Sequence, residues 1–293
     1  MDIISSAAAG EIVSEVVKNE KVIEKTANVL GKLFPYFGLH QKAVDLYIDE
    51  IEKSNMSRDA KVFCILHAKK EIKRIKNQKD IVQIAIENAE EGTDFSEETK
   101  VSDEWLERFM DSAKFVSEDD IKLIWGKILA AEFEMPGSTP PNMTRILSEL
   151  TPSLAKKFGL ICSMNVSFYL DADGKTYLIR KTLIPYTSDT QTVGKVGLSF
   201  NDLNELDTLG LIKFDSVGYT TTGFDVPQVK FTIGKRKGIL SGIRESQIPI
   251  GNVRLSSAGE ALKKIIEPME IDNYFDIVMD YFTSEKIIVL SID

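Results

Sequence analysis

The side chains best suited to catalysis or metal binding are scarce in this 293-residue chain, which has two histidines and two cysteines. Cys64 and His67 are three positions apart, so they would share one face of a helix. A zinc site would need two further ligands, and His40 and Cys162 do not form a second ligand pair. The sequence also lacks a Gly-x-Ser-x-Gly elbow for a nucleophilic serine. These residues predict neither a zinc site nor a catalytic triad.

An Asp-Ala-Asp-Gly sequence at residues 171–174 is similar to the beginning of a calcium-binding loop. Alignment with that loop puts Tyr169 at the first ligand position and Arg180 at the twelfth, where carboxylates are required. Asp-Gly is also a favoured turn pair between strands, and apolar residues alternate on both sides of it. The segment therefore predicts a β-hairpin and no calcium site.

Acidic residues at both ends of one predicted helix could form the metal site of a nuclease. They are Glu118, Asp119, Asp120, Glu132 and Glu134. The two groups are about 20 Å apart at 1.5 Å per residue, so they cannot bind one ion within this helix. Capping of the helix after Ser117, together with solvation, explains these carboxylates instead.

Two basic clusters are candidate contacts to nucleic acid or to a protein partner. One lies on a helix where Glu71 is the single nearby acid, and it comprises Lys69, Lys70, Lys73, Arg74, Lys76 and Lys79. The other, Lys235, Arg236 and Lys237, would occupy the tip of a wing. The helix over residues 201–207, which would enter the major groove, carries three acids and no Lys or Arg. That helix would repel phosphate, so a solvated turn is favoured over DNA recognition.

Trp125 and Gly126 are adjacent in the most apolar of the predicted helices. Glycine inside a helix costs about 1 kcal/mol relative to alanine, so it usually reflects close packing of another element. Trp125 shares a helix face with Ile128 and Leu129, which follow at spacings of three and four. The Trp-Gly pair therefore predicts a packed core.

The net charge of −9 is spread evenly along the chain. Basic against acidic residues number 15 and 18 in residues 1–100, 7 and 10 in residues 101–163, and 14 and 17 in residues 164–293. Each stretch thus carries −3, which is unfavourable for phosphate neutralisation. The two cysteines are about a hundred residues apart and form no CxxC pair, and together with the absence of a signal peptide and of a long apolar run they predict a cytoplasmic protein without a transmembrane segment.

The periodicity predicts an α+β protein with a mainly α-helical N-terminal half. Residues 1–100 form a helical region, residues 101–163 a compact helical core, and residues 164–293 a winged-helix-like α+β portion. In this last portion a helix over residues 200–209 is followed by Leu-Gly-Leu-Ile, further strands and a Leu-Ser-x-x-Gly helix. That order is similar to the second half of winged-helix domains.

Within the N-terminal region, Ser57 is a predicted N-cap. The helix that follows has an inward stripe comprising Val62, Ile65, Ala68, Ile72 and Ile75. A separate helix is expected over residues 80–91, and residues 90–100 are polar and predict a linker. Ser102 and Thr151 are further predicted caps.

The first predicted helix, over residues 12–30, has an apolar stripe and a polar face that mixes acids with lysines. Membrane-surface helices usually have a polar face rich in Lys and Arg. Self-association or docking on the body of the protein is therefore favoured over membrane binding.

Three features recur together: Trp105 in its capped helix, the Trp125–Gly126–Leu129 helix that ends at Pro136-Gly137, and the Leu-Gly-Leu-Ile and Leu-Ser-Ser-Ala-Gly-Glu sequences of the C-terminal portion. This combination resembles a bacterial family of proteins of unknown function. That family is distantly similar to the Abi-alpha abortive-infection proteins. The resemblance covers roughly residues 100–265. It implies a role in antiphage defence, and it implies no catalytic residues.

We therefore expect a non-catalytic protein that acts by protein–protein recognition, without a cofactor or metal. A protein partner or self-association is expected, and nucleic acid is disfavoured. Two alternatives stay open. One is a DNA-binding regulator that uses Lys235, Arg236 and Lys237, and the other is a metal-dependent nuclease or hydrolase whose carboxylates converge only in the folded chain.

Overall fold

The computed structural model describes residues 31–36, 41–172, 175–184, 196–222, 228–241, 247–266, 273–284 and 288–292, with residues 194, 269 and 271. It divides into two compact units, Met1–Ser148 and Glu149–Asp293. The predicted α+β class is confirmed, because helices form the first unit and an antiparallel sheet dominates the second. None of the described helices is long and apolar enough to cross a membrane. The predicted helix over residues 12–30 and His40 lie outside the described residues.

The first unit is helical. Its elements are a 3-10 helix (Gly31–Tyr36), α1 (Gln41–Lys53), α2 (Arg58–Asn88), α3 (Asp103–Ala113), α4 (Asp119–Glu134) and α5 (Met143–Glu149). Two predicted N-caps are confirmed, since the Ser57 hydroxyl accepts from the amide of Ala60 and the Ser102 hydroxyl from that of Trp105. The predicted cap at Ser117 is wrong: Glu118 is the N-cap residue of α4 and makes no side-chain capping bond.

Helix α2 is one continuous helix of 31 residues, where two separate helices were predicted. The junction at residues 76–79 contains neither Gly nor Pro, so nothing there ends a helix. Its polar residues have partners: the Asn77 amide donates to the carbonyl of Lys114 at 3.0 Å, and the Gln78 amide donates to that of Met110 at 2.8 Å. The polar residues between the two predicted helices therefore contact α3 and its C-cap, and α2 continues through them.

The predicted linker over residues 90–100 is a packed loop. The Phe95 ring lies 5.0 Å from the ring of Phe133, and the amide of Lys32 donates to the Phe95 carbonyl at 3.2 Å. A Cβ at Gly31, whose φ is +44°, would lie 1.8 Å from that carbonyl oxygen. The loop and the 3-10 helix can approach this closely only because residue 31 is glycine.

The second unit contains α6 (Pro152–Ser163), α7 (Phe200–Leu209), α8 (Ser257–Lys263) and α9 (Tyr274–Ser284). Its strands are β1 (Val166–Ala172), β2 (Lys175–Ile184), β3 (Ile212–Thr222), β4 (Gln228–Ile233), β5 (Arg236–Ser241), β6 (Gln247–Leu255) and β7 (Ile288–Ile292). Thr151 caps α6 as predicted. Helix α6 belongs to this unit, whereas the sequence analysis grouped it with the preceding helices.

The seven strands form one antiparallel sheet in the order β3-β6-β2-β1-β4-β5-β7. The predicted β1–β2 hairpin is confirmed, with Ala172 opposite Lys175. The β4–β5 hairpin, expected to be a wing, pairs with β1 on one side and β7 on the other. It is part of the sheet interior, so the winged-helix detail of the prediction is not confirmed.

Aromatic rings join α9 to the sheet in the core of the second unit. The Phe231 ring of β4 lies 5.7 Å from the Phe275 ring and 5.9 Å from the Phe282 ring. The buried Tyr274 hydroxyl donates to the carbonyl of Met164 at 3.0 Å, and burial raises the pKa of Tyr274 well above its usual value. These contacts fix α9 against the sheet.

Candidate functional site

The first turns of α2 expose three large apolar side chains. Val62 is 50% exposed, Phe63 71% and Leu66 63%. At 3.6 residues per turn they lie within about 100° of the helix circumference, so they form one continuous patch. We call these three residues, together with Lys69, Lys70 and Lys73, the α2 surface.

Lysines continue the same face toward the middle of α2. Lys69, Lys70 and Lys73 follow Leu66 at three, four and seven positions, and all three are exposed. Lys76 is exposed too. Arg74, by contrast, forms an ion pair with Glu71. The α2 surface is therefore apolar over two turns and basic over the next two.

A further exposed ring lies beside α2 at Arg74. Phe115, just after α3, is 63% exposed. The guanidinium carbon of Arg74 lies 5.1 Å from the centre of its ring, and the Lys114 ammonium lies 5.2 Å from it. Such cation–π contacts hold the ring beside the helix.

The apolar part of the α2 surface was missed in the sequence, whereas its lysines were among the predicted candidate contacts. Val62 was predicted to face inward with Ala68, and that prediction is wrong for Val62, although Ala68 is buried. Phe63 and Leu66 fall outside the predicted inward stripe. A second apolar group off the main periodic stripe was the available signal for a surface patch.

A cavity of about 380 Å³ lies beside α3 and the end of α4. It is lined by Lys100, Ser102, Trp105, Glu132, Pro136, Gly137, Thr139 and Pro141. The structure thus brings together Trp105, Pro136 and Gly137, which the sequence analysis assigned to the structural core. The Trp105 ring stacks on Phe109 with 4.9 Å between ring centres.

Glu132 shapes this cavity, because its carboxylate folds the following loop back over α4. One oxygen accepts from the amide of Gly137 at 2.6 Å and the other from the amide of Thr139 at 2.9 Å. Glu132 is only 3% exposed. Glu134, which was grouped with Glu132 in the candidate metal site, has a different partner: its carboxylate accepts from the amide of Glu90 at 2.9 Å.

Trp125, Gly126 and Leu129 lie in the core of the first unit, away from this cavity. Trp125 and Leu129 are fully buried. A Cβ at Gly126 would lie 2.3 Å from Cγ2 of Ile84, so α2 and α4 approach each other closely at this glycine. The structure agrees with the packing expected from a glycine inside a helix.

The basic hairpin tip is partly engaged within its own unit. Lys235, Arg236 and Lys237 are exposed. The guanidinium carbon of Arg236 lies 4.0 Å from the centre of the Phe275 ring, and the group lies 3.6 Å from the carboxylate of Asp276. The tip therefore carries the three predicted cations, and one of them is engaged by contacts within its own unit.

The acidic helix at residues 201–207 uses all three of its carboxylates within the second unit, because Asp207 also lies 3.6 Å from the Lys213 ammonium. The Lys157 ammonium lies 2.5 Å from Asp202 and 3.5 Å from Glu205. The hydrogen bond to Asp202 raises the pKa of Lys157.

In the part of the chain that the structure describes, no three His, Cys, Asp or Glu side chains are grouped to hold a metal ion. His67 stacks on Phe63 with 6.4 Å between ring centres. Cys64 and Cys162 are free thiols, and burial raises the pKa of Cys162 to about 12.

A family model described as "Protein of unknown function (DUF2806)" matches residues 66–279. The match includes Trp105, Trp125 and the cavity, and it begins within α2, upstream of the resemblance seen in the sequence. Leu66 and the three lysines of the α2 surface lie inside it, whereas Val62 and Phe63 immediately precede it. No curated protein and no solved structure matches the chain.

Proposed function

We propose that this chain, which belongs to the DUF2806 family of proteins of unknown function, is a non-catalytic component that recognises a partner protein. The α2 surface is the binding site in this proposal. The single observation that carries it is the adjacent exposure of Val62, Phe63 and Leu66 on one helix. Grouped apolar side chains in water are characteristic of protein–protein contacts, whereas isolated ones are common on any surface.

Their burial against a partner would contribute through the hydrophobic effect. Each of the three side chains has at least half of its surface still available. Phe63 is the expected centre of the contact, since aromatic residues commonly dominate binding energy at interfaces. Helix α2 presents these side chains from a formed helix, so binding at this site does not have to order the backbone.

The lysines indicate the chemistry of the partner. Lys69, Lys70 and Lys73 would meet acidic side chains that flank the apolar contact. An acidic amphipathic helix fits this pattern, with its apolar residues on Phe63 and Leu66.

The proposed setting is bacterial antiphage defence. Its support is the distant similarity of the Trp125–Gly126 helix and the Pro136-Gly137 turn to Abi-alpha abortive-infection proteins. In this setting the chain works by association with a defence component or a phage component.

Phage plating on bacteria that express the protein tests both parts of the proposal. The wild type is expected to reduce plaque numbers, and Phe63→Ser/Leu66→Ser is expected to abolish that protection. Leu123→Ser/Val217→Ser is the matched control, because both residues are exposed apolar side chains outside the α2 surface. Absence of protection by the wild type would reject the defence role. Full protection by the α2 variant would reject the role of the α2 surface.

A further inference from the structure

We propose that the cavity beside Trp105 binds an organic cation, a guanidinium or ammonium group, with Glu132 as its counter-charge. The cavity of about 380 Å³ is large enough for a small ligand or a single long side chain. This inference concerns a different surface from α2 and does not depend on the proposed function.

The charge of Glu132 is the first observation. Its carboxylate is 3% exposed and accepts two backbone N–H bonds, which supply dipoles and no positive charge. Within the described residues it forms no ion pair with a Lys, Arg or His side chain. Buried carboxylates are ordinarily paired with a cation, because an uncompensated charge is costly to bury. Each oxygen retains a second lone pair that can accept from a ligand.

The walls of the cavity are the second observation. Trp105, Pro136 and Pro141 contribute flat apolar surfaces. The indole nitrogen of Trp105 is inaccessible to water and has no hydrogen-bond partner, so the ring contributes carbon surface to the cavity and not its N–H. A planar guanidinium can stack on an indole while it donates two hydrogen bonds to a carboxylate.

Lys100 is the one cationic residue that lines the cavity, and replacing it tests whether the ligand is positively or negatively charged. Its side chain is exposed to solvent, whereas Glu132 is buried. For a cationic ligand, neutralising Glu132 weakens binding and neutralising Lys100 strengthens it. For an anionic ligand both effects are reversed.

Titration calorimetry and tryptophan fluorescence on the full chain measure the binding. The probes are N-acetyl-arginine amide, which represents a peptide side chain, agmatine, which represents a free amine, and neutral N-acetyl-norleucine amide. Trp105 lines the cavity and Trp125 is fully buried, so a fluorescence change on binding reports on the cavity. Saturable binding of either cation is expected, with no saturation by the neutral analogue. Binding of both cations indicates a site open to a peptide, and binding of agmatine alone indicates a site limited to a small free cation, because both probes carry a guanidinium.

Two variants decide the assignment. Glu132→Gln keeps one acceptor for the loop, and its affinity for the cation is expected to fall about tenfold. Lys100→Met is expected to raise the affinity about twofold, because it removes a like charge at the rim. Thermal unfolding shows whether Glu132→Gln still folds, and Lys100→Met alone decides the sign if it does not. Absence of saturable binding, equal binding of the neutral analogue, unchanged affinity in Glu132→Gln or weaker binding in Lys100→Met would each overturn the proposal.

Discussion

Single residues determine how closely the helices of the first unit approach. At Gly126 an added Cβ would lie 2.3 Å from Cγ2 and 2.6 Å from Cβ of Ile84. Because the Ile84 Cβ is attached directly to the backbone, it cannot move without shifting α2. We expect Gly126→Ala to lower the free energy of unfolding by about 1–3 kcal/mol, despite the better helix propensity of alanine.

Gly159→Ala is the matched control for this prediction. Gly159 also lies inside a helix, but its added Cβ would meet only the flexible end of Met269 at 3.4 Å and Cγ2 of Ile266 at 3.5 Å. This variant should be neutral or gain up to about 1 kcal/mol. Urea unfolding followed by circular dichroism gives both values, and equal effects at the two glycines would contradict the packing argument.

The two thiols should differ in reactivity. Burial is the main cause of the raised pKa of Cys162, about 12; the Lys263 charge opposes it in part, and Glu260 makes the smallest contribution, which raises the pKa. The Cys162 thiol therefore stays protonated at pH 8, whereas Cys64 is only half-buried. We expect Ellman's reagent to modify one thiol, Cys64, in the folded protein and two in denaturant. Rapid modification of Cys162 in the folded state would show that its surroundings open readily.

The sequence predicted the role of a single residue where that residue interacts with its near neighbours in the chain. Ser57, Ser102 and Thr151 were identified as caps because a cap bonds to its own next turn. The exposure of Val62 was not predictable, because a side chain on the edge of an apolar stripe is buried only if another element of the fold covers it.

At the scale of elements, a partly buried ion pair joins α2 to α4. The Lys122 ammonium, with 8% of its side chain exposed, lies 2.7 Å from the Asp80 carboxylate. We expect Asp80→Asn to cost about 2–3 kcal/mol, because it leaves the buried ammonium without its near partner. Lys122→Met removes the buried charge altogether and should cost less than about 1 kcal/mol.

Denaturant unfolding of both single variants and of the double variant separates these effects. The double variant should resemble Lys122→Met, since Asp80→Asn costs little once the ammonium is gone. If Lys122→Met lowered the free energy of unfolding more than Asp80→Asn, the ion pair would be a net stabiliser. It would then do more than offset the cost of burying the ammonium.

Most helices and hairpins were predictable because their periodicity and turn residues are local. The sheet order was not, because β1 pairs with β4 and β2 with β6 across long insertions. Pairing between strands distant in sequence leaves no local mark on either strand. The cavity was missed for the same reason, since Trp105 and Glu132 belong to different helices and only the folded chain brings them together.

At the scale of the molecule, the α2 surface is a basic and apolar region on a chain of net charge −9. At long range, the negative net charge of the chain would repel an acidic partner. At physiological ionic strength charges farther away than about 8 Å are largely screened, so the nearby lysines dominate at contact. The even charge along the sequence therefore gave no indication of this local surface.

The most direct test of recognition through α2 is the affinity of a partner captured at that surface. A photo-crosslinking amino acid at position 63 captures the partner in cells, and the same label at Val217 shows background capture. The affinity of the purified partner is then measured for the wild type and the two double variants. Binding by Phe63→Ser/Leu66→Ser is expected to be at least about tenfold weaker, and binding by Leu123→Ser/Val217→Ser is expected to be unchanged. Equal affinity of the wild type and the Phe63→Ser/Leu66→Ser variant would contradict recognition through the α2 surface.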